Sequence, residues 1–349
     1  MRPPLRRLRR ATARAERFLR VALDLRRVRG PARVTLAEDE AVAICLVKDG
    51  AYFLPAFLAH HFRIGVRHVV LVDNGSTDGT LDIAAAHDRV TVLRSRLPAA
   101  DYENQLRARA AATAAKGGWR LFIDVDELFD WPFSDRVPLR DLLRRANARG
   151  ATAVAAQMLD LFPEGDLMQA RGLDFAAAID AFRCYDLSSV ERRPYHDPGI
   201  KFAGRLKNNV VSNPGIDVLF GGVRKAAFGE HPCLTKHPLV RPVEGVEPAA
   251  HPHCSSHARV ADFTTLIRHY KFAGDFVARD RRQVAAGVWR HGEDRLRMEA
   301  VARRSSLNLA GPATRRLEKP EQLVDEGFLV SPSGEDLDAE GVRRMARAD

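Results

Sequence analysis

The stretch Leu121-Phe122-Ile123-Asp124-Val125-Asp126-Glu127 decides the fold. Three apolar residues, preceded by Trp119, run straight into two aspartates one residue apart. A short apolar run of this kind reads as a buried strand of a parallel sheet, covered on both faces. Open α/β sheets bind ligands outside the carboxyl ends of their strands, which is where these carboxylates fall. Two carboxylates spaced Asp-x-Asp can hold a hard divalent cation, and such a cation bridges to phosphate oxygens. The same residues also suit the first turn of a helix, where Asp and Glu are favoured. The surrounding chain has to discriminate.

Working outward, Ala41 to Val47 is a second buried-strand pattern, followed by Lys48-Asp49-Gly50 as a turn. Residues 52–64 have helical apolar spacing, and Val66 to Val72 is the next strand. Asp73-Asn74-Gly75-Ser76-Thr77-Asp78-Gly79-Thr80 is dense in turn and capping residues, and Ser76 or Thr77 is expected to cap a helix reaching about residue 87. A strand over 90–93 and an Ala/Arg-rich helix over 101–116 lead back to the opening stretch. Strands and helices therefore alternate from 41 to 124 with short connections, which predicts a doubly wound, mostly parallel α/β sheet. Gly-x-Gly-x-x-Gly is absent, against a dinucleotide cofactor. Asp73 and Asp124-x-Asp126 end two strands of one unit and can face one crevice.

Beyond it, a helix near 138–148 and a strand over 151–159 are expected. Residues 160–250 are rich in Gly, Pro, His and Arg and read as irregular α+β structure around the site, with strand-like pieces near 181–186, 200–204, 208–212 and 216–220. A strand over 263–270 and a helix over 271–287 follow. The expected division is a tail over 1–37, a catalytic domain over 38–300, and a C-terminal appendage over 301–349 with an acidic stretch at 334–336.

The chain has 349 residues and a net charge of +10. Residues 1–30 hold eleven arginines against Glu16 and Asp24, a net of +9, which leaves about +1 for the rest. The basicity belongs to the tail, so the body is not expected to bind nucleic acid. Leu5, Leu8, Ala11, Ala15, Phe18, Ala22 and Leu25 recur at helical steps through those arginines. A basic helix with an apolar stripe suits an anionic membrane surface; a helix packed on the body, a coiled-coil segment or a disordered arm are the alternatives. No apolar run approaches the ~20 residues of a membrane span, and no signal-peptide pattern precedes the domain, so a cytoplasmic location is expected. Cys45, Cys184, Cys233 and Cys254 lie far apart without zinc-like or redox spacing, which does not suggest a disulfide framework.

Three stretches together resemble one family. Ile44-Cys45-Leu46-Val47-Lys48-Asp49, then Asp73-Asn74-Gly75-Ser76-Thr77-Asp78, then Asp124-Val125-Asp126-Glu127 are similar to the opening of the family 2 glycosyltransferases, in their bacterial Asp-Asn-Gly-Ser-Thr-Asp branch. Gly221-Gly222-Val223-Arg224, Lys236-His237-Pro238-Leu239 and Arg268-His269-Tyr270-Lys271-Phe272 extend the likeness to residues 41–290. The resemblance implies a GT-A fold, a nucleotide-sugar donor, Mg2+ or Mn2+, and inversion at the anomeric carbon. It implies that Asp73 lies near the base and ribose, and that Asp124 and Asp126 form the ribose and metal-diphosphate pair. Asp49-Gly50 stands where that branch usually has Asn-Glu.

Sugar transfer from a nucleotide needs a neutralised diphosphate and a deprotonated acceptor hydroxyl. Asp126 is the leading metal ligand, with Asp124 on the nucleotide side or on the metal through water, and His269 as a third ligand or diphosphate contact. Lys48, Asp73, Asp124, Gln105, Arg109 and Lys271 are the nucleotide-sugar candidates; Gln105 and Arg109 share a helix face by their spacing of four, which reads more readily as a solvated face, and Asp73 also reads as an Asx-turn residue opening its loop. Lys236 and Arg224 suit phosphate or acceptor, or a solvated face. Glu230 and Glu127 are the candidates for the base. The acceptor expected is a glycan or a lipid-linked sugar, with the enzyme peripheral on the inner membrane face. The rival readings are a sugar-phosphate nucleotidylyltransferase, against which the short, glycine-poor turn after the first strand speaks, and a non-catalytic carbohydrate- or membrane-binding scaffold.

Overall fold

A computed structural model of the chain describes residues 3–285, 292–304 and 306–331, with side chains from residue 12 onward. A ten-stranded sheet forms its centre. Its strands are β1 (Arg26–Arg29), β2 (Ala41–Val47), β3 (His68–Asp73), β4 (Val90–Arg94), β5 (Trp119–Phe122), β6 (Glu127–Asp130), β7 (Ala153–Asp160), β8 (Val210–Val211), β9 (Thr235–Val240) and β10 (Arg259–His269). The spatial order is β1-β4-β3-β2-β5-β9-β7-β10-β8, with β6 paired to β10. β4, β3, β2 and β5 are mutually parallel. β9 runs antiparallel to both β5 and β7, so those two point the same way, and β10 is parallel to β7. The mixed α/β architecture with a mostly parallel sheet is the one expected.

The alternation of side chains across a strand explains the two covered faces. Ala41, Ala43, Cys45 and Val47 of β2 pack with Leu54, Phe57 and Leu58 of helix α1 (Leu54–Arg63) and with Leu142 and Leu143 of helix α2 (Leu139–Ala148). Val42 and Ile44 face the other way, against Leu106 and Ala110 of helix α3 (Ala99–Ala114). Burying one such large apolar side chain stabilises the fold by roughly 1.5–3 kcal/mol. Because the parallel strands all leave the sheet on one edge, the ends Asp73 (β3), Phe122 (β5), Asp160 (β7) and His269 (β10) converge there.

Several local expectations are corrected. Residues 1–30 do not form one helix: the helix Pro3–Asp24 stops, and β1 follows on the sheet edge, antiparallel to β4. Ser95 Oγ and the Arg96 N–H donate to Asp24 Oδ2 at 2.6 and 3.0 Å, fixing the chain where the arginines of β1 can pair. The helix Thr80–Ala85 lacks a Ser76 or Thr77 cap; Ser76 Oγ instead accepts from the Asp49 N–H at 2.9 Å. Residues 203–206 form a helical turn that overlaps the strand-like piece expected near 200–204. Strand β6 carries no expectation at all. The anticipated helix end at 287 and the acidic stretch 334–336 lie outside the described residues. Leu317, Leu323 and Phe328, from the region beyond 301, are buried in the main core.

Candidate active site

The turn that follows β5 is braced by one of its own carboxylates. The Glu127 N–H donates to the Asp124 carbonyl and the Asp124 N–H donates to Glu127 Oε2, both at 3.0 Å. Glu127 is buried, and its other oxygen accepts from Lys236 Nζ. Burial pushes its carboxyl above the ordinary glutamate range, against the opposing pull of Lys236. Its geometry is that of a loop brace, with one oxygen on the Asp124 N–H and the other on Lys236.

Asp124 is gripped from two sides. Arg107 of α3 donates to Oδ1, and Lys236 of β9 donates to Oδ2 at 2.8 Å. Register explains the second contact: Leu239 pairs with Leu121, so the antiparallel strand carries Lys236 back to the level of Asp124. Burial opposes ionisation of Asp124, but Arg107 and Lys236 outweigh it and hold the carboxyl well below the usual range. Lys236 is thereby a partner of carboxylates, neither a solvated cation nor a free phosphate ligand. Arg107 is also paired with Glu103 one helical turn earlier, at 3.0 Å. On the same helix Gln105 is half-buried and Arg109 is exposed, while Arg107, between them, is the residue that reaches Asp124. A signal was present, since Arg107 sits in the apolar stripe of Leu106, Ala110 and Ala111.

Asp126 has a different environment. Its backbone carbonyl accepts from the Tyr270 N–H at 2.9 Å, and its Oδ2 lies 3.5 Å from Nε2 of His269. His269 is in register with Asp160 on the neighbouring parallel strand. Their side chains share a face, and His269 Nδ1 donates to Asp160 Oδ1 at 2.6 Å. The second oxygen of Asp160 accepts from Arg224 Nε at 2.8 Å. Burial disfavours charge on both Asp126 and His269, yet each overcomes it through the other: His269 holds Asp126 far below the usual range, and Asp126 with Asp160 raises the imidazole. Lys271 and Arg279 add positive potential at Asp126. Asp160 was not a sequence candidate, although it ends an apolar strand as Asp73 does.

Arg224 is set by a glycine turn. Gly221 has φ +85°, and a Cβ there would lie 2.6 Å from the Ser189 carbonyl. The helix α4 (Val223–Phe228) starts directly after it and buries Arg224 against Asp160. Behind Arg224, Glu230 is sealed from solvent and accepts from Arg297, which also donates to Asp280 Oδ2 and Asp294 Oδ1 at 2.6 Å each. Glu230 is therefore an ion-pair residue of the interior, and the expectation that it serves as a base does not fit its placement. Burial keeps its carboxyl above the ordinary range despite Arg297 and Arg224.

On the other side of the crevice, Asp73 is fully buried and accepts from the Ser76 and Gly75 N–H groups at 2.9 and 3.3 Å, with Arg94 at 3.2 Å. It shapes its own loop as an Asx-turn residue does. Asp49, at φ 52°, accepts from the N–H and Oγ1 of Thr77 and ties the 48–50 turn to that loop. Lys48 is exposed beside it.

The donor set suits a divalent ion held partly by substrate. Among the described residues no three His, Cys, Asp or Glu side chains converge as a complete cage. A separation of 3.5 Å is long for a hydrogen bond; two ligands each about 2.1 Å from one ion stand roughly 3.0–3.4 Å apart. Asp126 and His269, at 3.5 Å, stand just outside that span and would have to close slightly to share one ion. Mg2+ characteristically keeps one or two protein ligands and fills its shell with waters and phosphate oxygens, and carboxylate, imidazole and water also suit Mn2+.

No family model and no curated protein matches the chain. Solved structures match parts of it. A mannosyltransferase from Pyrobaculum calidifontis, in complex with GDP-Man and Mn2+, matches at 23% identity and a TM-score of 0.27, covering 41% of this chain and 41% of that one. Glucosyl-3-phosphoglycerate synthase from Mycobacterium tuberculosis, in complex with Mn2+, UDP and glucosyl-3-phosphoglycerate, matches at 15% identity and 0.25, covering 37% and 52%. A UDP-glucose pyrophosphorylase from Acinetobacter baumanii matches at 14% identity and 0.22, covering 36% and 57%. The matched stretch is thus less than two thirds of each of those chains. Likeness at this level carries no conclusion about the reaction, which has to come from the residues of the crevice.

Proposed function

We propose that the protein is a metal-dependent, inverting glycosyltransferase of the GT-A type, moving a sugar from a nucleotide-sugar donor to a glycan or lipid-linked acceptor. The observation that carries this reading is the asymmetry of the two aspartates. Asp124 is saturated by Arg107 and Lys236, whereas Asp126 faces the free edge of an imidazole that Asp160 has oriented. In this reading Asp126 and His269 hold Mn2+ or Mg2+. When bound, the ion supplies Lewis-acid neutralisation of the diphosphate leaving group. Asp124 keeps the loop and its charge in place from the nucleotide side. Lys271, with Arg279 behind it, adds positive potential where leaving-group charge develops. Asp73 and Asp49 hold the loop that borders the nucleotide, with Lys48 exposed at its rim. The division into a tail over 1–37, a catalytic domain over 38–300 and an appendage over 301–349 belongs to the same proposal, as does a cytoplasmic location at the inner membrane face.

The test is a panel of nucleotide sugars with the purified chain, in Mn2+ or in chelator. The expected result is metal-dependent release of a nucleoside diphosphate that Asp126→Asn abolishes. Pyrophosphate release from a nucleoside triphosphate and a sugar phosphate would point to nucleotidyl transfer instead. Absence of binding and turnover with every donor would favour a scaffold.

A further inference from the structure

The N-terminal helix Pro3–Asp24 has two apolar faces, and the body covers one of them. Val21 is fully buried and packs with Leu106, Ala110 and Ala111 of α3; Leu25 packs beside it. Arg17 donates to the Asp101 carbonyl at 3.2 Å and Arg14 to Glu247 at 2.9 Å, so this face is also tied by polar contacts. At about 100° per residue, Leu19 lies about 160° around the helix from Val21. Leu19 is 60% exposed and Leu23 is 69% exposed, and Ala15 and Ala22 are exposed beside them. Val28 of the adjoining edge strand is 59% exposed. The arginines Arg20, Arg26, Arg27 and Arg29 border this stripe and are all exposed. The acidic residue nearest it, Glu16, is paired with Arg20 at 2.5 Å.

We propose that the outward stripe Ala15-Leu19-Ala22-Leu23, with Val28 and its arginine border, seats the protein on an anionic lipid bilayer. An apolar stripe between cationic side chains is the pattern that inserts to the depth of the headgroups while the cations meet anionic lipid. A second copy of the chain is the wrong occupant: two such faces would bring the four bordering arginines of one copy against the four of the other, and like charge opposes that approach. The apolar residues first read as one stripe are thus divided, with Leu25 packed on the body, Phe18 half-buried, and Ala15 and Ala22 exposed. The outward face is also joined to the crevice, because the helix packs on α3, which carries Arg107 to Asp124.

Vesicle flotation of the full chain tests this with neither donor nor metal, so its outcome is separate from that of the proposed reaction. The chain is expected to float with phosphatidylcholine vesicles containing roughly one-third phosphatidylglycerol and to stay behind with phosphatidylcholine alone. Leu19→Glu with Leu23→Glu is expected to lower the floated fraction at least tenfold with an unchanged thermal midpoint, since the docked face is intact. Arg26→Gln with Arg27→Gln is expected to lower it as well. Failure of the parent chain to float, or equal flotation of the Leu19→Glu, Leu23→Glu variant, would overturn the proposal. So would a dimer by light scattering that this variant converts to monomer.

Discussion

His269 Nε2 stands 3.5 Å from Asp126 Oδ2, while its Nδ1 is committed to Asp160 at 2.6 Å. One ring thus has a fixed donor nitrogen and a second nitrogen aimed at a carboxylate. A carboxylate that takes the far nitrogen of a metal-binding histidine sets its tautomer and orientation.

Asp160→Ala should therefore weaken Mn2+ binding by about 10–100-fold in the presence of a nucleoside diphosphate, read by electron paramagnetic resonance of the free ion. Asp160→Asn, which can still accept from Nδ1, should lose less. Equal affinity in all three proteins would remove Asp160 from the metal site.

Arg107 and its neighbours on α3 give a contrast. Arg107→Met strips Asp124 Oδ1 and Glu103 of their cation, and nucleoside diphosphate release should fall by about 10–100-fold as the loop loses its position. Gln105→Ala and Arg109→Ala should stay within about twofold, because Arg107 is the residue of this helix that contacts Asp124. The reverse order of effects would place Gln105 and Arg109 at the nucleotide and remove Arg107 from the loop.

The sealed cluster around Arg297 is a stability device. Arg297→Met leaves Glu230, Asp280 and Asp294 without their shared cation, and removing one partner of a buried ion pair costs about 3–5 kcal/mol. Urea unfolding should show that loss, and adding Glu230→Gln should recover part of it. A change below about 1 kcal/mol would mean that the cluster relaxes or hydrates freely.

Acid should weaken the fold before the carboxylates titrate. Burial lowers His60 to about 3, lowers His68, His237 and His251 to about 4, and holds His61 and His253 well below the ordinary value. For His60 and His61 the hydrogen bonds agree. Each donates from one ring nitrogen to a carbonyl, Phe129 and Phe57 respectively, and accepts at the other from Arg63 or the Phe129 N–H. The unfolded chain takes up protons below pH ~6.5 that the folded chain refuses until far lower pH, so stability is full above that pH and falls as pH drops. At pH 5 each such histidine contributes a loss of at most about 2 kcal/mol. His269, whose imidazole is raised, works in the opposite direction but is one against six. The urea midpoint should decline from pH 7.5 to 5; a flat or rising midpoint would contradict neutral buried rings.

The sheet was legible because its strands are apolar runs with polar ends. Ala41–Val47 and Ala153–Asp160 announce themselves by that pattern, and the Asp-x-Asp exit of β5 marks the edge where the crevice lies. Arg107 and Asp160 were harder. Each is a charged residue embedded in an apolar stretch, and its partner is distant in sequence: Asp124 for one, His269 for the other. Lys236 and Arg224 were noticed as cations, but only the register of β9 and the glycine turn before α4 show that they end on carboxylates. Glu230 looked available because sequence gives no burial for an irregular segment. The N-terminal stripe was visible as a period, yet a wheel cannot say which side meets the body.

The most direct measurement is Mn2+ binding to the full chain with nucleoside diphosphate present, followed by paramagnetic resonance, for the parent, Asp126→Asn and His269→Ala. The parent should bind one ion with nucleotide-dependent affinity, and each substitution should weaken it by at least about tenfold while leaving the thermal midpoint above that of Arg297→Met. Binding of equal strength in all three proteins, or no binding in the parent at any nucleotide concentration, would contradict a metal centre at Asp126 and His269.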